Sequence, residues 1–167
     1  MKKFMPAFLA ALMVLAMIAP AFAAGNLTKN EAVNKALKNA KLSRSKVYAL
    51  ETETKAKKYE IEFIKKSNGA EYEYEISKSG TILKKSIEYK YKYNGSRSKI
   101  GKTAARKKVA KYTGVKLSTV KKGSCVYEYD YGEGIYEIKF RKGHYKYDCE
   151  VLAPTGKIID FERKYVK

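Results

Sequence analysis

The sequence has no tryptophan and only one histidine, His144, and all four of its methionines fall between Met1 and Met17. A His-centred triad needs a nucleophile and an orienting acid beside the imidazole. No such grouping surrounds His144, which reads as a surface residue next to Gly143 at a strand start. A zinc centre draws three or four ligands from His, Cys and carboxylates, and one His with two separated cysteines does not make one. No glycine-rich phosphate loop or dinucleotide fingerprint is present. These gaps point away from an enzyme and imply no cofactor and no metal. After the first segment no hydrophobic run is long enough to cross a bilayer. Without Trp or Met, the core has to be built from Ile, Val, Leu, Ala and the 15 tyrosines.

The N-terminal segment accounts for the methionines. Lys2 and Lys3 precede an apolar run from Phe8 to Ile18, which is followed by Ala21-Phe22-Ala23. This is the pattern of a secretory signal peptide, residues 1–23, with an A-x-A cleavage site. The run is short for a retained membrane anchor. The protein is therefore expected outside the cytoplasm, secreted or held at the cell envelope, with no transmembrane span after cleavage.

Acid is scarce. The formal charge is +19, and +17 once Lys2 and Lys3 are removed. A field of that sign attracts polyanions: phosphate-rich wall polymers, anionic lipid surfaces or acidic proteins. The compartment disfavours nucleic acid, and charge that serves solubility alone is the plainer alternative. No acidic residue lies between Glu88 and Glu128. Lys90, Lys92, Arg97, Lys99, Lys102, Arg106, Lys107, Lys108 and Lys111 fall in that interval and form a candidate polyanion-binding patch. Positions four apart on a helix are neighbours, so Arg106, Lys107 and Lys111 are expected close together, at a cost of a few tenths of a kcal/mol per like-charged pair. The alternative is a solvated basic helix face.

The chain also repeats. "LTKNEAVNKALKNAKL" at 27–42 aligns with "IGKTAARKKVAKYTGV" at 100–115, and "YEIEF" at 59–63 aligns with "YEIKF" at 136–140. "YEISKSGTIL" at 74–83 aligns with "CEVLAPTGKII" at 149–159. A tandem duplication follows, with units 24–93 and 100–167 and a turn-rich linker at 94–99. Each unit opens with a helix. Thr28 and Glu31 form a capping-box pattern, and Ala32, Val33, Ala36, Leu37 and Ala40 make an apolar stripe. In the second unit Ala105, Val109 and Tyr112 repeat the stripe, but Gly101 replaces the capping threonine. Alternating strands follow near 47–54, 58–65, 71–77 and 81–93, and again near 124–131, 135–141, 144–152 and 157–165. The fold class expected is α+β: two repeats, each one helix packed on a four-stranded antiparallel meander. The other sheet face should be charged and wet. Carboxylates such as Glu73 and Glu75 share a strand face among lysines, which suggests cross-strand ion pairs.

These motifs together, "LTKNEAVNKAL", "YEIEF", "YEYEIS" and the "PTGKI" hairpin, resemble the PepSY domain, present twice. The two-copy layout is similar to that of the β-lactamase inhibitor protein. The resemblance implies a secreted, non-catalytic binding module with a protein partner such as an extracellular peptidase, which it would inhibit or regulate. The alternative is an envelope-associated protein held by its basic patch on wall or membrane phosphates. An even cysteine count in an exported chain suggests a disulfide. The expected register opposes one. It sets Cys125 across from Arg141, with Cys149 two strands away and about five residues along, beyond the roughly 7 Å Cα limit for a bridge. Cys125 and Cys149 are read as free thiols, and an intact bridge would overturn the meander.

Overall fold

The structure, a computed structural model, describes residues 26–91, 98–130 and 132–167. The signal peptide expected at 1–23 and most of the linker, with Lys92, Tyr93 and Arg97, lie outside the described residues.

Helix α1 runs Lys29–Ala40, and its start is fixed by the predicted cap. The Glu31 N–H donates to the Thr28 hydroxyl at 3.3 Å, and the Thr28 N–H donates to the Glu31 carboxylate at 2.7 Å. The Thr28 N–H, together with the Thr28 hydroxyl that donates to the same carboxylate oxygen at 2.8 Å, holds the Glu31 carboxyl below its ordinary pKa. The apolar stripe buries Ala32, Val33, Ala36 and Leu37. Helix α2 spans Lys102–Thr113 and buries Ala105 and Val109. Its N-cap, Gly101 at φ 81, supplies no side-chain bond, so a serine placed there would meet backbone strain before it could cap. Replacing Thr28 with alanine should therefore cost about 1 kcal/mol, read as a lower urea midpoint. A short helix not anticipated from the sequence, α3 (Leu117–Lys121), plugs Val120 into the core.

The described residues form eight strands. They are β1 (Val47–Thr54), β2 (Lys58–Lys65), β3 (Glu71–Ser77), β4 (Ile82–Glu88), β5 (Val126–Asp130), β6 (Glu133–Lys142), β7 (Tyr145–Leu152) and β8 (Ile158–Tyr165). They form one antiparallel sheet in the order β1-β2-β3-β4-β8-β7-β6-β5. The expected pair of four-stranded meanders is thus corrected to a single α+β sheet. Strands β4 and β8 pair edge to edge from Lys84↔Lys164 to Glu88↔Asp160. Each meander alone would leave those backbone edges open, and their pairing removes both. Strand β4 ends at Glu88 rather than Tyr93.

One sheet face carries the helices. Phe63 stacks on Tyr72 and Tyr74 at centroid distances of 5.1 and 6.0 Å. The fully buried Tyr74 donates its hydroxyl to Asn39 of α1 at 3.1 Å. Tyrosine fills the place that Trp or Met would otherwise take. Tyr89 shares a 2.9 Å hydroxyl–hydroxyl bond with Tyr112 of α2, and Tyr91 packs on Ile135, Leu152 and Ile159. The strand-end tyrosines therefore tie the first half to the second.

Both cysteines are buried free thiols, but the register that places them differs from the expected one. Val126 pairs with Glu137, so Cys125 comes level with Ile138, and Ile138 pairs with Cys149. The cysteines lie in one cross-strand row, not five residues apart along it. Two strand spacings, roughly 10 Å, keep them beyond bridging distance.

Candidate functional site

The face opposite the helices is a field of carboxylates. Strand alternation sends every second residue to it, and the register lines these up across the sheet. One row reads Glu71, Glu88, Asp160, Glu150 and Glu137 on five neighbouring strands, β3, β4, β8, β7 and β6. The next reads Glu51, Glu62, Glu73, Ser86, Glu162, Asp148 and Lys139. Neighbouring strands are about 4.8 Å apart, so like charges stand directly opposite one another, an arrangement that costs stability.

Lysines relieve part of this. Lys84 reaches Glu73 at 2.8 Å and Glu162 at 3.5 Å. Lys58 bridges Glu60 and Glu75, both at 2.7 Å, and Lys139 bridges Glu137 at 2.5 Å and Asp148 at 3.2 Å. The contacts of Lys84, and those of Lys58 with Glu75 and Lys139 with Asp148, are the cross-strand pairs that the interleaved lysines suggested, while Lys58–Glu60 and Lys139–Glu137 lie within one strand. Being solvent-accessible, each contributes well under 1 kcal/mol. Burial pushes the Asp160 carboxyl up to about 6, helped by Glu150, Glu88, Asp148 and Glu162 around it. A depression of about 360 Å³ lies where β1 bulges between Tyr48 and Glu51, and Glu51, Glu62, Glu71, Glu73 and Glu88 line it.

The helix side has the opposite sign. Glu31, tied into its cap, is the one acidic residue on α1, and α2 and α3 carry none. The predicted basic residues do not all gather there. Lys102, Lys107, Lys108 and Lys111 are exposed on α2, continued by exposed Lys116, Lys121 and Lys122. Lys107 and Lys111 point away from the buried stripe, whereas Lys108 lays its stem beside Gly156. Arg106 does not join them: it turns inward and donates to the Gly123 carbonyl at 3.2 Å. At 100° per residue it stands only one step from Ala105, at the margin of the buried face. Lys99 lies 3.7 Å over the Tyr127 ring, and Lys90 pairs with Glu71 at 3.4 Å. Lys92 and Arg97 lie outside the described residues. The patch is thus narrower than the acid-free interval suggests.

His144 is exposed, its ring centroid 5.6 Å from that of Tyr165. Among the described residues no three His, Cys, Asp or Glu side chains converge as metal ligands, and no helix is long and apolar enough to cross a membrane.

No protein-family model and no curated protein sequence matches the chain. Among solved structures it is similar to the YpeB C-terminal domain of Bacillus megaterium, at 12% identity and a TM-score of 0.47, over 82% of this chain and 63% of that one. The chain therefore spans less than two thirds of that domain's length. It is also similar to a BLIP-like protein from Bacteroides fragilis, at 16% identity and a TM-score of 0.31, over 80% of this chain and 85% of that one. A DUF2874 family protein from Bacteroides uniformis matches at 15% identity and a TM-score of 0.29, over 77% of this chain and 84% of that one.

Proposed function

We propose that this chain is an extracytoplasmic, non-catalytic binding module, built from two PepSY-like repeats, that docks a protein partner on its open sheet face. The observation that carries the reading is the row Glu71–Glu88–Asp160–Glu150–Glu137. In a chain of net charge +19, acidic residues are gathered on the face that no helix covers. Like charges set opposite one another weaken a sheet, and a basic partner surface would relieve them. A peptidase is the partner that the sequence resemblance implies, with docking that blocks or regulates it.

The test is capture from an envelope fraction by immobilised protein, with wild type beside a Glu88→Lys/Asp160→Lys/Glu150→Lys variant. A protein held by wild type through a salt wash and released by the triple variant supports the reading. Equal capture by both variants refutes the face.

The exposed lysines of α2 and α3 favour a second reading, an envelope protein held on anionic wall polymer or lipid. Such binding is driven by counterion release and is steeply salt-dependent. If retention on wall polymer survives high salt, or survives Lys107→Glu/Lys111→Glu, that reading fails.

A further inference from the structure

The two halves meet along β4 and β8, and on the helix side of this seam the sheet does something unexpected. Lys85 of β4 and Arg163 of β8 are direct cross-strand partners. Their row continues to Tyr74 on one side and Tyr147 on the other, both on the helix-covered face. Two cations therefore stand side by side on the face where the core is built, and opposed like charges destabilise a sheet.

They sit in a crevice. Helix α1 packs on β1, β2 and β3, and α2 packs on β6 and β7. The gap between the C-terminal ends of the two helices opens over β4 and β8. It encloses about 340 Å³ and is lined by Lys41 at the end of α1, by Lys85 and Arg163, and by aromatic walls that include Tyr89, Tyr112 and Phe161. No carboxylate lines it. None of the ion pairs among the described residues includes Lys41, Lys85 or Arg163.

The surrounding rings compensate these cations only in part, by cation–π contact rather than by an opposite charge. The Arg163 Nε is buried without a hydrogen-bond partner, and its guanidinium carbon lies 4.7 Å from the Tyr145 ring centroid. Lys85 Nζ stands 5.7 Å from the Tyr74 centroid and 6.0 Å from that of Phe161. Burial, with Arg163 and then Lys41 nearby, pushes the Lys85 ammonium down to about 8. Helix C-terminal carbonyls can offset cations, but the Leu37 and Lys38 carbonyls at the end of α1 already accept from the N–H groups of Leu42 and Lys41. Cations gathered in an aromatic crevice without a counter-ion have the features of an anion site.

The geometry points to a ligand site at the seam for a small organic anion. Its carboxylate or phosphate group is held by Lys85 and Arg163 with Lys41 at the rim, and its apolar or aromatic body lies against Tyr89, Tyr112 and Phe161. The site is on the opposite side of the sheet from the proposed docking face, so it stands or falls independently of that reading.

The experiment uses the full chain, with its lysines carrying ¹³C-dimethyl labels for NMR, and the probes phenyl phosphate, phenylacetate and inorganic phosphate. The expected result is a saturable shift of the Lys85 resonance with an aryl probe, and an upward move of its titration from about 8. Lys85→Met and Arg163→Met should each weaken aryl-probe binding at least tenfold. Both should raise the melting temperature without ligand, because each removes the like-charge opposition. Whichever aryl probe binds tighter identifies the head group as phosphate or carboxylate. Three outcomes overturn the site: no Lys85 shift with either aryl probe to tens of millimolar, inorganic phosphate binding as tightly as the aryl probes, or equal loss of binding in Lys107→Glu/Lys111→Glu, which leaves the crevice intact. The wild-type Lys85 shift decides the matter even if a methionine variant fails to fold.

Discussion

Gly123→Ala is expected to lower stability by about 3 kcal/mol, the upper part of the range for overpacking a core. A Cβ at this position would stand 2.1 Å from the Lys139 carbonyl oxygen and 2.6 Å from the Phe140 Cβ. Both belong to β6, and a backbone oxygen inside a sheet cannot rotate away. The segment after α3 would have to lift instead. That would pull on buried Val120 and Cys125 and on the bond from Arg106 to the Gly123 carbonyl. Conformational strain plays no part, because Gly123 is not among the positive-φ glycines. Gly143→Ala makes the matching control: its φ is +56, but nothing lies within 4 Å of an added Cβ. It should cost only about 1 kcal/mol of backbone strain. Urea denaturation of the two variants separates the effects. A Gly123→Ala protein no less stable than Gly143→Ala would show that the close approach to β6 is not needed.

Asp160→Asn should stabilise the protein at pH 7.5 by about 1.5 kcal/mol. The folded carboxyl titrates near 6, above its ordinary 3.8. The folded state therefore takes up this proton before the unfolded chain does. As pH falls from about 6 toward 3.8 the group favours folding, and above pH 6 the charged form opposes it. A shift of roughly two units corresponds to about 3 kcal/mol, and partial exposure to solvent halves that figure. Asparagine removes the charge at every pH, so its advantage should shrink through this window and vanish near pH 4. Glu60, held low by Lys58, behaves oppositely and loses its contribution as acid protonates it. Urea melts of wild type and variant between pH 4 and 8 give the difference directly. An increment that stays constant with pH would mean that Asp160 is not the strained member of its row.

Local signals were legible and long-range pairing was not. Thr28 and Glu31 announced the first helix, because a capping box is complete within four residues. The alternation of Tyr136, Ile138 and Phe140 against Glu137 and Lys139 gave the strand and its faces. Nothing in alternation says which sheet edges meet, so the β4–β8 seam, and with it the rows of carboxylates and the Lys85–Arg163 pair, could not be read from spacing. The misplaced Cys125 has a local cause. A loop drawn through Gly132, Glu133 and Gly134 sets Cys125 opposite Arg141, but Asp130 already pairs with Glu133. The tighter turn slides the whole strand by three residues. Arg106 was grouped with Lys107 and Lys111 by charge, whereas its angular position beside Ala105 decides where it points.

The seam also bears on how the chain finds its fold. Seven of the strands have a sequence neighbour beside them in the first or second meander before β8 is needed, and such local closures are fast. Strand β8 comes last of the eight in chain order, yet it occupies the middle of the sheet between β4 and β7. Bringing Ile87 against Phe161 closes a loop that contains the whole second half. Until β8 arrives during synthesis, β4 and β7 present unpaired edges to other chains. The step that joins the halves is thus also the step that ends the exposure of those edges, and a delay there would favour pairing between molecules.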